Sequence, residues 1–260
     1  MKKILLIVAV LGLASLGWSN DKTDERKEAT TERLDRSAQV IHEILGAPDK
    51  GIPEEVIEHA KCIAVVPHMI KGGFVFGAQG GRGVVSCRTA SARWSAPAFF
   101  AVTGGTLGLQ IGVEGVDLVM VVQNDKGMQH MLSSKFQLGV DASAAAGPVG
   151  RHASADTDWK MYAEILTYSR AKGVFAGLTL TGADVRRDDD SMRTVYGPDA
   201  STRAVLNGDV PPPAQAHAFL AAIHAAKLRR LRGNEQSERS ICEHPVYAGC
   251  SICVWARPAV

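Results

Sequence analysis

The chain has 260 residues, 46% of them hydrophobic, enough to bury one substantial core in one or two domains. Its 29 basic and 27 acidic residues nearly cancel, which excludes the strongly basic field typical of a nucleic-acid binder. An anionic partner has to be met by a local patch and not by the charge of the whole molecule.

Residues 1–19 open on Lys2 and Lys3, run apolar from Ile4 to Leu16 and close on small residues around Ser15, Gly17 and Ser19. That is the pattern of a secretory signal peptide, and its apolar run is short for a bilayer span. The expected location is therefore exported, in the periplasm or cell envelope. Removing the two lysines leaves 27 bases against 27 acids. Five cysteines are an odd number for an exported chain. Cys62 and Cys87 lie at the edges of neighbouring predicted strands and are placed to pair; Cys242, Cys250 and Cys253 fall in the tail, so at least one thiol is left over or joins another chain. His244 and the tail cysteines are zinc-ligand types at a spacing that fits no zinc pattern, so residues 233–260 read as a weakly ordered tail with a local disulfide.

Residues 21–36 interleave acids and bases, and an apolar stripe at Leu34, Ala38, Ile41 and Leu45 predicts a helix packed on the domain by one face. Gly46, Pro48 and Gly51 end it; Pro53 with Glu54 and Glu55 predicts a second short helix. From Cys62 the pattern turns to short β-rich runs at 62–66, 73–79, 83–87, 98–103, 107–113 and 117–123, divided by glycines. These imply antiparallel strands in a strongly curved, barrel-like sheet, hence an α+β fold with N-terminal and C-terminal helices packed on it. Gly77, Gly80, Gly81 and Gly83 read as a hairpin turn. Asn124 to Leu132 is a capped short helix, 136–145, 162–169 and 174–181 are further strands, and 184–197 is a charge-rich helix or loop. Residues 207–232 are taken as a linker from Gly208 to Pro213 followed by an alanine-rich helix ending in Lys227, Arg229, Arg230 and Arg232.

Catalytic signatures do not emerge. The glycine clusters lack both the GxGxxG register and a phosphate-loop lysine. Eight scattered histidines form no HExxH, and there is no GxSxG elbow, so neither a metal nor a cofactor is expected and the chain reads as a non-enzyme. Asp156 and Asp158 before Trp159 suit turn capping better than acid–base work, and Asp188 to Asp190 a solvated acidic loop. Asp141, inside the apolar 136–145 run, reads as a buried charge needing Arg151 or backbone amides as its partner.

Several ordered segments carry a resemblance: VVPHMIKGGFVFG at 65–77, Gly-Arg-Gly at 81–83, WSAPAFF at 94–100, GGTLGLQIG at 104–112, DLVMVV at 117–122, KFQLGVDASAAAGPVGR at 135–151 and YSRAKGVFAG at 168–177. Over roughly residues 30–206 the chain resembles the SYLF domain, a lipid-binding module, which sets the domain at 20–206. The resemblance implies phosphoinositide-type lipid binding and, in eukaryotic members, filamentous actin as a partner; for an exported bacterial-looking member it implies phosphatidylglycerol, cardiolipin or lipopolysaccharide instead. It also implies that an amphipathic segment near the domain's start touches membrane. The candidate ligand residues are Lys71, Arg170 and Lys172, which match the family pattern, with Arg151 and Arg82 as turn-borne cations beside apolar strands. Phe74, Phe76, Trp94, Phe99, Phe100 and Phe175 are the aromatic residues placed near them. The expected function is peripheral, non-enzymatic association with anionic membrane; the alternative is a structural or stress-related envelope protein that binds a protein partner or itself.

Overall fold

The computed structural model describes residues 23–44, 51–73, 76–107, 112–148, 163–171, 174–177 and 180–225. Residues 23–44 form helix α1, and Thr30, Arg33, Leu34, Ser37, Ala38, Ile41 and Ile44 recur at helical spacing as its buried stripe. Each fully buried aliphatic there contributes on the order of 1.5–3 kcal/mol. Helix α2, Glu54–His59, begins at Pro53 as expected.

The expected short runs join into long strands. β1 (Cys62–Gly73), β2 (Phe76–Cys87), β3 (Ala98–Leu107) and β4 (Gly112–Val122) have 12, 12, 10 and 11 residues. They are joined by β5 (Lys135–Gln137), β6 (Ala144–Ala146), β7 (Ile165–Ala171), β8 (Val174–Gly177) and β9 (Asp184–Arg187). The sheet is curled into a half-barrel, in the order β5-β9-β3-β2-β1-β4-β7-β6. Every pairing is antiparallel but β6 with β7, and β8 takes over the second edge of β7 where β6 stops.

The glycines read as a turn at 77–83 stand inside β2 instead. A Cβ on Gly81 would lie 2.5 Å from Val66 Cγ1, and one on Gly83 would lie 2.4 Å from the Val65 carbonyl oxygen, so the glycines let β2 press onto β1. At this level β1 carries a bulge, with Val65 to Ile70 facing Val84 to Gly80 on β2. His68 takes a φ of 52° there, and its backbone N–H donates to Asp117 Oδ1 at 2.9 Å.

The strand expected over 136–145 is broken. β5 ends at Gln137, Gly139 turns with a φ of 76°, and β6 starts only at Ala144. Asp141 is consequently an exposed turn residue whose Oδ2 accepts from the Gln137 N–H at 2.7 Å, not a buried charge. The donor is a backbone amide, one of the two kinds of partner the sequence reading allowed.

Helix α3 (Asp125–Leu132) is capped by Asn124, α4 (Asp189–Tyr196) by Asp188 and α5 (Thr202–Asn207) by Ser201. A 3₁₀ turn, Ala214–Ala216, leads into helical residues 217–225, here α6. Phe219, Ala222 and Ile223 of α6 join the same core as β1 to β4, so residues beyond the expected boundary at 206 pack into the domain. Cys62 and Cys87, direct partners on β1 and β2, are bonded and fully buried.

Strand alternation sorts the sheet into two faces. Val66, Met69, Val102, Leu118, Met120, Phe136 and Val185 form the buried inner face. The outer face bears Val65, Val84, Phe99, Val119 and Tyr168, also buried. α1 crosses this outer face from β3, where Arg33 stands 5.5 Å over the Phe99 ring, to β7, where Arg170 meets Glu43.

Candidate functional site: the uncovered half of the outer sheet face

Beyond Arg82 on β2 and Asp117 on β4, the outer face has no described helix over it. The register pairs Ile70 with Gly80 and Gly115, Gly72 with Ala78 and Val113, and Ala78 with Gly105. The result is a floor of small residues from which Ile70 and Val113 project, 51% and 81% exposed. They are diagonal neighbours on one face of adjacent strands, close enough to form one apolar spot.

A cationic row borders this floor. Lys135 pairs with Arg186, Arg186 with Ala101, and Ala101 with Arg82, so these four side chains share the outer face across β5, β9, β3 and β2. Lys135 Nζ is 3.2 Å from Asp184 Oδ2, and the largely exposed Arg82 has its Nε 3.9 Å from Asp188 Oδ2. Arg186 is exposed, and its side chain has no ion-pair or hydrogen-bond partner among the described residues.

Two ion clusters hold α1 beside this floor. At one end the buried Arg33 Nη1 donates to Asp188 Oδ2 at 3.1 Å and to Ser191 Oγ at 3.3 Å, while Asp188 caps α4 through the Ser191 N–H. Burial lowers the Arg33 pKa, and Asp188 opposes that shift. At the other end Arg170 Nε donates to Asp117 Oδ2 at 3.0 Å and its Nη1 pairs with Glu43. A third cluster fastens α3 to the start of β7: buried Glu164 accepts from Lys126 Nζ at 2.6 Å and faces His130 Nε2 at 3.4 Å.

Of the five candidate ligand residues, the three that are described, Arg82, Lys71 and Arg170, do not lie together. Arg82 stands in the cationic row. Lys71 lies directly opposite Glu114 and, one position from Ile70, points to the other side of the sheet; burial lowers its pKa, with Glu114 opposing. Arg170 is an anchor of α1, with two carboxylates engaging its guanidinium. Arg151 and Lys172 lie outside the described residues, as do the segment holding Asp156, Asp158 and Trp159, residues 1–22, and the cysteine tail. Phe99 and Phe100 are core, and Trp94 lies 4.5 Å beneath the Arg88 guanidinium. The sequence reading passed over Arg186. Its only signal was alternation: in Asp184–Arg187, Val185 is buried, so Arg186 must point to the opposite face.

The described residues thus form a curled half-barrel sheet crossed on its outer face by α1, with an open patch beside the helix. The profile of the family described as "Ysc84: Las17-binding protein actin regulator" matches residues 103–226, from β3 to the end of α6. "SH3 domain-containing YSC84-like protein 1" of Rattus norvegicus is 34% identical over 187 residues, covering 70% of this chain and 55% of the rat protein. "Protein YSC84" of Saccharomyces cerevisiae is 28% identical over 222 residues, covering 84% of this chain and 46% of the yeast protein. "LAS seventeen-binding protein 3" of the same species is 32% identical over 175 residues, covering 66% of this chain and 38% of its own length. This chain belongs to the SYLF family. It spans about half the length of the curated relatives it matches; the family's description speaks of a Las17-binding actin regulator, and one of these relatives is named as a binding protein.

Proposed function

We propose that this protein is a non-enzymatic lipid-binding protein of the cell envelope that associates peripherally with anionic phospholipid. The observation that carries this reading is the uncovered half of the outer face, where exposed Ile70 and Val113 adjoin a row of three cations. An apolar spot that enters the acyl boundary beside cations that meet head groups is the chemistry of an interfacial contact. The buried Cys62–Cys87 bond supports an oxidising compartment and hence export. Helix α1 is not the contact in this arrangement, because its apolar stripe is buried and its exposed side sets Asp24, Glu25, Glu28, Glu32 and Asp35 against Arg26, Lys27 and Arg36, a net negative face that an acidic surface does not attract.

The test is co-sedimentation of the chain from residue 20 onward with vesicles. Pelleting should require acidic lipid and weaken as salt rises; equal recovery with neutral and acidic vesicles, or none with either, overturns the reading. The relatives' names favour a second reading, an envelope protein acting through a protein partner or self-association. An absence of vesicle binding together with concentration-dependent self-association in sedimentation velocity supports it.

A further inference from the structure

We propose that the free edge of β4 at Gly112–Val116 takes up an extended segment of a partner protein as a further strand, and that the segment it favours alternates aliphatic and basic residues. The inference goes beyond the membrane reading and does not depend on it. β4 runs from Gly112 to Val122, but β7 pairs with it only from Asp117 to Val122. β7 continues to Ala171, which pairs with Val174 of β8 and not with β4, and no described residue pairs with Gly112–Val116 on the side away from β1. On the β1 side these residues are paired, from Gly112 with Gly73 to Val116 with Met69, so they are held extended. Val113, Glu114 and Gly115 are exposed in succession, although successive strand residues face opposite ways, so described residues shield neither face there. Such an edge presents backbone N–H and C=O groups to a further strand. Proteins blunt exposed edges with lysine, proline or a bulge, and Gly112–Val116 has none of these, since the bulge at this level is in β1.

The side chains along the edge decide the occupant. Val113 and Gly115 look to the outer face and Glu114 to the inner one. An added strand sets one residue directly opposite each of them, with Cβ atoms about 5 Å apart. Opposite Glu114 a lysine or arginine is favoured and an acid disfavoured; beside Val113 an aliphatic side chain extends the apolar spot that Val113 makes with Ile70. Lys71 faces Glu114 from the β1 side, so a base on the free side completes a row of base, acid and base. The two bases are then two strand spacings, about 10 Å, apart, where repulsion between exposed charges is largely screened. Asp117, at the end of the stretch, is committed to Arg170 and to the His68 N–H, which leaves Glu114 to select the partner's charge. A second copy of this chain is the poorer occupant: the antiparallel two-fold register that pairs all of Gly112–Val116 sets Glu114 against Glu114. The added strand widens the outer floor and does not cover it.

The experiment titrates the isotopically labelled protein with capped synthetic peptides and follows its amide signals by NMR, with hydrogen exchange as a second readout. A peptide alternating valine and lysine should shift the amides of Val113–Val116 and slow their exchange. A peptide alternating valine and glutamate should bind about tenfold more weakly. The valine–lysine peptide N-methylated at alternate residues, on the edge turned toward β4, keeps every side chain but cannot donate to the strand, and it should lose binding as well. Glu114→Lys should exchange the preference between the lysine and glutamate peptides while the melting temperature stays put, because Glu114 is exposed. No shift at β4 with any peptide, shifts confined to the acidic side of α1, or a Glu114→Lys variant that keeps the parent's preference overturns the proposal. Concentration-dependent shifts of the same amides without peptide mean that a second copy takes the edge, which overturns the partner assigned here. None of these outcomes bears on vesicle binding, so the membrane reading stands or falls by co-sedimentation.

Discussion

The two halves of the outer sheet face are made by the same strands and the same alternation, yet they carry opposite chemistry. Under α1 the outward residues are Val65, Val84, Phe99, Val119 and Tyr168, all buried. Past the bulge at His68 the outward residues of those strands are Ile70, Ala78, Gly80, Gly105 and Val113, and the row ends in Arg82, Arg186 and Lys135. A helix laid over a sheet needs large apolar residues beneath it. Where no helix lies, the outward residues are small or charged, with Ile70 and Val113 standing exposed among them. Four predictions break or sharpen this contrast.

The largest effect should come from the anchor on the covered side. Asp188→Ala leaves Arg33 buried without its anion and also uncaps α4, so unfolding should be easier by about 3–5 kcal/mol. A urea titration that finds less than about 1 kcal/mol lost would mean that α1 does not depend on this anchor. Next is the covalent tie at the closed end. Cys62→Ala with Cys87→Ala opens a loop of sequence separation 25 and should cost about 3 kcal/mol, whereas reductant should do nothing further to that variant.

On the open side the ranking reverses between stability and binding. Ile70→Ser with Val113→Ser should leave the denaturation midpoint within about 0.5 kcal/mol of the parent, because neither residue is core. The same pair should reduce vesicle affinity by about tenfold or more, since each aliphatic carries on the order of 1.5 kcal/mol when buried. A variant that unfolds early would show that the floor is packed against something in solution. The smallest effect belongs to Asp141→Ala: with the carboxylate in an exposed turn accepting one N–H, the loss should stay near or below about 1 kcal/mol, and a loss of several kcal/mol in thermal denaturation would restore the buried-charge reading.

Much of this fold was legible in the chain. The stripe Leu34, Ala38, Ile41 announced α1, the apolar runs announced the strands, and Cys62 and Cys87 were placed on neighbouring ones. The misreadings share a cause. Gly81 and Gly83 looked like a turn because glycine serves turns and close strand contacts alike, and only β1 beneath them tells the two apart. Asp141 looked buried because the run around it is apolar, while a turn at Gly139 lifts it into solvent.

By itself the sequence determined the family, the α+β class, the helical stripe and the side of a strand to which each residue points, because period and composition are local properties of the chain. The partners of each charge were decided only by tertiary structure. In the run Arg186-Arg187-Asp188-Asp189-Asp190, successive residues leave in different directions: Arg186 to the open row, Asp188 to Arg33 and Arg82, Asp190 to Arg193. Arg170 matched the family pattern and met Glu43 of α1 and Asp117 of β4, 127 and 53 positions away in the chain. Ion pairing depends on distances of a few ångströms between strands and helices far apart in sequence, and those distances are set only when the sheet curls and α1 is laid across it.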